Sequence, residues 1–303
     1  MCTLSEMSTA GDVRITVTPL RRGPVRSRGG GLALIVLSPF IAFAILGLAE
    51  LLRQQRGDGR FLVFGAIFGL AAGTWAVTTG LRMRLRDGWD VLRRDPRPPV
   101  IFLRPFLEDE RVRYNSPVGK RIGADVPKAD AVGKVTTEPK IGRTLRSIGP
   151  FVAVGKPGQW LASFGAARIY LDDHEWQDTV AFLTAKAMAI VLQPDERGTL
   201  WELELTVQRV DPRRILMLVP NAGLRPLGFE RVRRLTGQVL PVPLPANIAC
   251  DAFMFDERWI PRALQFGKKP QSALREFIDQ VRQLTIPQEQ IDAFADFVGT
   301  IRR

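Results

Sequence analysis

The sequence predicts an α/β protein: a two-helix transmembrane hairpin followed by a cytosolic domain built on a parallel sheet. Three observations carry that reading. Residues 29–49 and 61–81 contain no charged side chain, and each is about as long as the roughly 20 apolar residues that cross a bilayer's hydrocarbon core. From residue 100 onward, short uninterrupted apolar runs alternate with helix-period stretches. That alternation is the pattern of strands covered on both faces and joined by helical crossovers. Finally, basic residues gather on the outer flanks of the two apolar stretches.

The flanks set the expected orientation. Arg14, Arg21, Arg22, Arg26 and Arg28 precede the first stretch, and Arg82, Arg84, Arg86, Arg93, Arg94 and Arg97 follow the second. Between the stretches, residues 50–60 hold Arg53, Arg56 and Arg60, offset by Glu50 and Asp58. The positive-inside rule places both termini in the cytoplasm and the short loop outside, at the inner membrane of a cell. Residues 1–28 then form a polar, basic tail, 29–81 the hairpin, 82–99 a basic, Pro-rich linker and 100–303 the cytosolic domain. The formal net charge of +12 suits anionic lipid headgroups, each nearby basic residue contributing about 1 kcal/mol. No nucleic-acid partner is expected, because no recognition motif accompanies the charge.

Within the hairpin, Pro39 interrupts the first helix beside Ser38. The second helix carries Gly65, Gly69 and Gly73 at four-residue spacing, which puts three glycines on one face for close approach of another helix. That helix is either the first one of the same chain or a helix of a second copy, so a homo-oligomer through these glycines stays open. Two cysteines, Cys2 and Cys250, and one histidine, His174, support neither a disulfide framework nor the usual Cys/His zinc site.

In the domain, 100–103 reads as a buried strand, and 111–135 as a long polar insertion. Thr137 caps a helix whose inner stripe is Ile141, Leu145 and Ile148. Residues 151–154 form a second strand, ended by the turn Gly155-Lys156-Pro157-Gly158, and 167–171 a third. Asp172 and Glu175 form a capping box before a helix that buries Trp176, Val180, Leu183 and Ala187. After the strand at 188–192, Thr199 and Glu202 repeat the box, and Leu200, Leu203, Val207 and Val210 are the expected inner stripe. A strand follows at 215–219. The remaining expectations are a helix at 225–235, a short edge strand at 252–255, and helices at 271–284 and 287–302.

The order of these pieces is similar to a known family. A strand is followed by Arg104-Pro105-Phe106 and an acidic cluster. The next is followed by Gly155-Lys156-Pro157-Gly158. Glu175-Trp176-Gln177-Asp178 opens a helix, and after an apolar strand Trp201-Glu202-Leu203-Glu204 opens another. Residues 98–220 resemble a Toll/interleukin-1 receptor (TIR) domain, in its bacterial, membrane-anchored version. The resemblance implies a flavodoxin-like/TIR-like fold and, for many members, cleavage of NAD at the nicotinamide bond. NAD would be a substrate, with no tightly bound cofactor. It makes Glu202 and Glu204 the candidate catalytic carboxylates, and Arg104, Gly155, Lys156, Gly158 and Trp201 the candidate cofactor-binding residues. The family's glutamate lies four residues after its tryptophan, a position held here by Leu205. A non-enzymatic signalling scaffold at the membrane is the second function the pattern implies.

Overall fold

The computed structural model describes residues 27–57, 59–104, 140–155, 165–171, 176–194, 200–219, 226–246, 250–266 and 270–301. Two long helices, α1 (Arg28–Arg56) and α2 (Arg60–Met83), pack antiparallel along their length. Both are long and apolar enough to cross a membrane, and little of either apolar stretch is buried within the chain. Among the described residues, the large apolar side chains that stand exposed, with Phe40, Phe43, Phe68 and Leu70 among them, all lie on these two helices except Ile260.

The helices begin and end where the chain's capping chemistry dictates. The Ser27 Oγ accepts a hydrogen bond of 2.9 Å from the Gly30 N–H. Gly57, at a φ of 68°, ends α1 in the left-handed conformation that glycine adopts without steric cost. The expected 50–60 loop is therefore shorter than the charge pattern suggested. Residues 50–56 continue α1, because Glu50 and Arg53 pair one turn apart and satisfy each other on the helix surface. Pro39 sits inside α1 and cannot donate to the carbonyl of Ile35. Ser38 fills the gap, its Oγ–H donating to that same carbonyl at 2.8 Å, as hydroxyls commonly do around membrane-type prolines. The glycine face of α2 lies against α1 of the same chain. A side chain on Gly65 would overlap Ala49, and one on Gly69 would stand 3.0 Å from the Ala42 carbonyl.

The rest of the chain builds a mixed α/β domain on a seven-stranded sheet of order β3-β2-β1-β4-β5-β6-β7. The strands are β1 (Val100–Leu103), β2 (Phe151–Gly155), β3 (Ala167–Tyr170), β4 (Ala189–Leu192), β5 (Ile215–Leu218), β6 (Ala252–Phe255) and β7 (Pro261–Leu264). Five of them are parallel. Alternate side chains serve opposite faces. Ile101, Leu103, Ile190 and Leu192 enter one core, with Val180 and Leu183 of α4 (Trp176–Lys186), Leu203 of α5 (Leu200–Arg209), Phe229 of α6 (Pro226–Thr236) and Phe294 of α8 (Gln288–Ile301). Val100, Phe102, Ala189 and Val191 enter the other, with Ile141 and Leu145 and with Leu274, Phe277 and Ile278 of α7 (Pro270–Arg282). Burial on both sides is why these strands read as unbroken apolar runs.

The sheet is not wholly parallel, and β6 is not its edge. β6 and β7 run antiparallel to their neighbours. The chain after α6 carries Pro241, Pro243 and Pro245, and β6 starts opposite the end of β5, Ala252 facing Leu218. A tight turn at Asp256 then adds β7. The Asp256 Oδ1 accepts from the N–H groups of Arg258 at 2.9 Å and Ile260 at 2.8 Å. Pro261 opens β7, on the sheet edge where a missing N–H is tolerated.

A further helix lies within the expected linker. α3 (Gly88–Arg94) docks on β3 and α8, burying Trp89 and Leu92, with the Trp89 and Phe297 rings 6.2 Å apart.

Candidate functional site at the carboxyl edge

The strand order reverses between β1 and β4: the chain proceeds from β1 toward β2 and β3 on one side and from β4 toward β5 on the other. In open α/β sheets the crevice at the carboxyl ends beside such a reversal receives ligands. β1 pairs with both β2 and β4, so the residues ending these three strands are brought together. They are Arg104 after β1, Gly155 closing β2, and Gln193 after β4, whose N–H donates to the Leu103 carbonyl at 2.9 Å. α5 follows with Trp201, Glu202 and Glu204 in its first turns. Lys156 and Gly158 lie outside the described residues, as do Thr199, Asp109, Glu110 and His174.

The helix turns the two candidate carboxylates apart. Two residues advance roughly 200° around an α-helix, so Glu202 and Glu204 face different surroundings. Glu202 is 5% exposed, Glu204 half-buried. The buried face of α5 is Glu202, Leu203, Leu205 and Thr206. The expected stripe therefore holds at Leu203 and Val210, with Val207 half-buried against the core, while the face extends to Glu202 and Leu205. The Trp201 ring meets Trp176 of α4 edge-on, centroids 5.2 Å apart and planes at 73°, and this contact fixes α5 against α4.

Glu202 is chemically unusual. Its Oε2 is buried and makes no hydrogen bond among the described residues. Burial penalises the charged form and pushes the carboxyl up to about 8. At neutral pH the side chain is therefore mostly the neutral acid, held at the start of a helix beside the strand-order reversal. Buried polar groups are almost always satisfied, and one that is not marks a functional candidate.

The cofactor-binding candidates divide. Arg104 is half-buried, with its guanidinium 5.6 Å over the Phe102 ring, which anchors it at the end of β1. Gly155 has a structural reason for lacking a side chain, since a Cβ there would stand 2.6 Å from the Tyr170 ring. Gly155→Ala is expected to cost about 1–3 kcal/mol through overpacking, read as a lower melting temperature of the full chain in neutral detergent. Trp201 presents its ring to Trp176, and packs at the border of the core. Among the described residues no cluster of His, Cys, Asp or Glu is placed to hold a metal ion.

Sequence reading placed residues 193–204 at this edge but did not foresee the contact between Trp176 and Trp201. The two tryptophans open helices after different strands, and only the adjacency of α4 and α5 makes them one feature. Comparison of the chain with protein-family models, with curated proteins and with solved structures gives no match.

Proposed function

We propose that the chain is a membrane-anchored, cytosolic TIR-like domain that binds a nicotinamide dinucleotide at the carboxyl edge of its sheet and cleaves it there, with Glu202 as the working carboxyl. The observation that carries the reading is the buried Oε2 of Glu202, which has no hydrogen-bond partner among the described residues. A ribose hydroxyl would supply the missing hydrogen bond. The cationic nicotinamide ring would favour the ionised carboxylate, since a nearby opposite charge lowers a carboxyl's pKa. Glu202 would thus be neutral in the empty site and charged when substrate arrives, where a carboxylate stabilises the positive charge developing on the ribose.

The strand order bears on the finer fold assignment. The order β3-β2-β1-β4-β5-β6-β7 contains the 2-1-3-4-5 order of flavodoxin-like sheets only when β3 is left out. With β3 it follows the 3-2-1-4-5-6 order of doubly wound dinucleotide-binding sheets, so it supports a nucleotide site at the reversal more than the flavodoxin-like assignment itself. The antiparallel β6 departs from either pattern. Anchoring is supported by the exposed apolar surface of α1 and α2 and by the arginines that follow α2 on the side of the sheet. A bilayer covers such a surface and holds such arginines at its cytoplasmic face.

The test is nicotinamide release from NAD by the full chain in detergent, dispersed and artificially clustered. Release that falls by at least about 100-fold in Glu202→Gln supports the assignment. Loss confined to Glu204→Gln moves it to Glu204. Absence of release in both states removes the enzymatic reading. The second reading, a non-enzymatic scaffold assembled at the membrane, is favoured by one observation. Leu205, at the family's glutamate position, is buried in the core.

A further inference from the structure

Beside β3 and the start of β2, the structure holds a cavity of about 600 Å³. Its lining includes six arginines: Arg84, Arg86, Arg94, Arg97, Arg146 and Arg168. They come from three separate parts of the chain. Arg84 and Arg86 immediately follow α2, while Arg94 and Arg97 end α3 and its extension. Arg146 follows the helical turns at 140–145, and Arg168 lies within β3.

Among the described residues, Asp95 is the one carboxylate of this lining, and it is committed. Arg97 binds it through Nε at 2.8 Å and Nη2 at 2.7 Å. Arg97 also donates to the carbonyls of Arg146 and Ser147, each at 3.3 Å, which ties the wall together. Among the described residues, no ion pair or hydrogen bond engages the guanidinium groups of Arg84, Arg86, Arg94 or Arg146. Arg168 is 2% exposed, with its Nη1 donating to the Ala166 carbonyl at 3.3 Å. A guanidinium so deeply placed is a fixed part of the fold, not a solvated surface group. Phe151, Leu85 and Val91 give the same cavity an apolar wall.

Folding gathers the guanidinium groups of Arg84, Arg86, Arg94 and Arg146 into one concavity, where an anion that met several of them would relieve their mutual repulsion. Guanidinium groups match phosphate oxygens two at a time, and several together prefer a doubly charged group. The volume lies within the range of small-molecule sites. We propose that this cavity is a phosphate-binding site, for a phosphate or diphosphate group carried either by a lipid headgroup or by a free metabolite. The site belongs to no part of the carboxyl-edge chemistry. The lipid source rests on the membrane reading given above, the free source does not.

The full chain in neutral detergent is titrated with inorganic pyrophosphate by calorimetry. In parallel it is equilibrated with nanodiscs of phosphatidylcholine with or without phosphatidic acid, and retained lipid is read by native mass spectrometry. The test variant is Arg94→Gln with Arg146→Gln, both exposed positions that leave the core untouched. The control is Arg143→Gln with Arg258→Gln, the same charge change at exposed positions outside the cavity. Saturable binding of pyrophosphate, or selective retention of phosphatidic acid, is expected in the wild type. It should weaken by at least about tenfold in the cavity variant, as loss of charge-assisted bonds implies, and persist in the control. Pyrophosphate binding alone assigns a free ligand, and phosphatidic acid retention alone a lipid. Neither anion binding, or equal weakening in cavity and control variants, overturns the site. The nicotinamide-release assay reads the carboxyl edge separately, so the two proposals fail independently.

Discussion

Between pH 5 and 8.5 the wild-type chain is expected to lose up to about 4 kcal/mol of folding stability through one side chain, and Glu202→Gln to abolish that loss. Glu202 titrates at about 8 in the folded chain against an ordinary value of 4.5. Between these values the folded state holds a proton that the unfolded state has released. Stability therefore falls as pH rises through this window and levels off above it. Each pH unit across it is worth about 1.4 kcal/mol, which sets the upper size of the effect. Glutamine keeps the shape and cannot ionise, so the variant matches the wild type near pH 5 and is the more stable protein at pH 8.5. Urea unfolding in neutral detergent, followed by tryptophan fluorescence, measures both. A parallel pH dependence in the two proteins would show that Glu202 has a partner in solution and would remove the basis for its role.

Trp89→Ala is expected to cost about 3–5 kcal/mol, the range for deleting a fully packed aromatic side chain. Trp89 is 3% exposed and joins α3 to Phe297 of α8, while α3 also packs on β3. α3 has seven residues, too few to persist without tertiary support. Its amides should exchange with solvent at nearly unprotected rates in the variant, while those of β1 and β4 stay protected. A loss under about 1 kcal/mol would mean that α3 is not held by this contact. Because α3 supplies Val91 and Arg94 to the arginine cavity, its release should also weaken pyrophosphate binding.

The sequence was most informative where one local pattern decides the outcome. β1, β4 and β5 are apolar throughout, and so could only be strands covered on both faces. α1 and α2 lack charge over spans that no other element tolerates. Ile141, Leu145, Leu274 and Ile278 fall at helical spacing and are all buried. Patterns failed where the deciding partner was distant. α3 reads as linker because Gly-Trp-Asp-Val-Leu-Arg-Arg is too short to show a period, and only docking of Trp89 and Leu92 stabilises it. The segment Ala252–Phe255 reads as an edge strand because nothing local reveals β7, which begins with proline and covers it. The inner face of α5 was read in part: Leu203 and Val210 are buried and Val207 packs against the core, but Glu202, Leu205 and Thr206 are buried as well.

The candidate site divides along the same line. By itself the sequence determined that a carboxylate pair follows an apolar strand at a helix start, that an apolar hairpin precedes the domain, and that arginines crowd the junction. Tertiary structure alone decided that Glu202 is buried, with no bond to Oε2 among the described residues, while Glu204 turns away, since burial depends on which face of α5 meets the sheet. It also decided that Arg146 and Arg168 join the arginines following α2 around one cavity. Charge counted along a chain carries no direction, and convergence of groups some 80 positions apart (Arg84 and Arg168) comes only from strand order and helix docking.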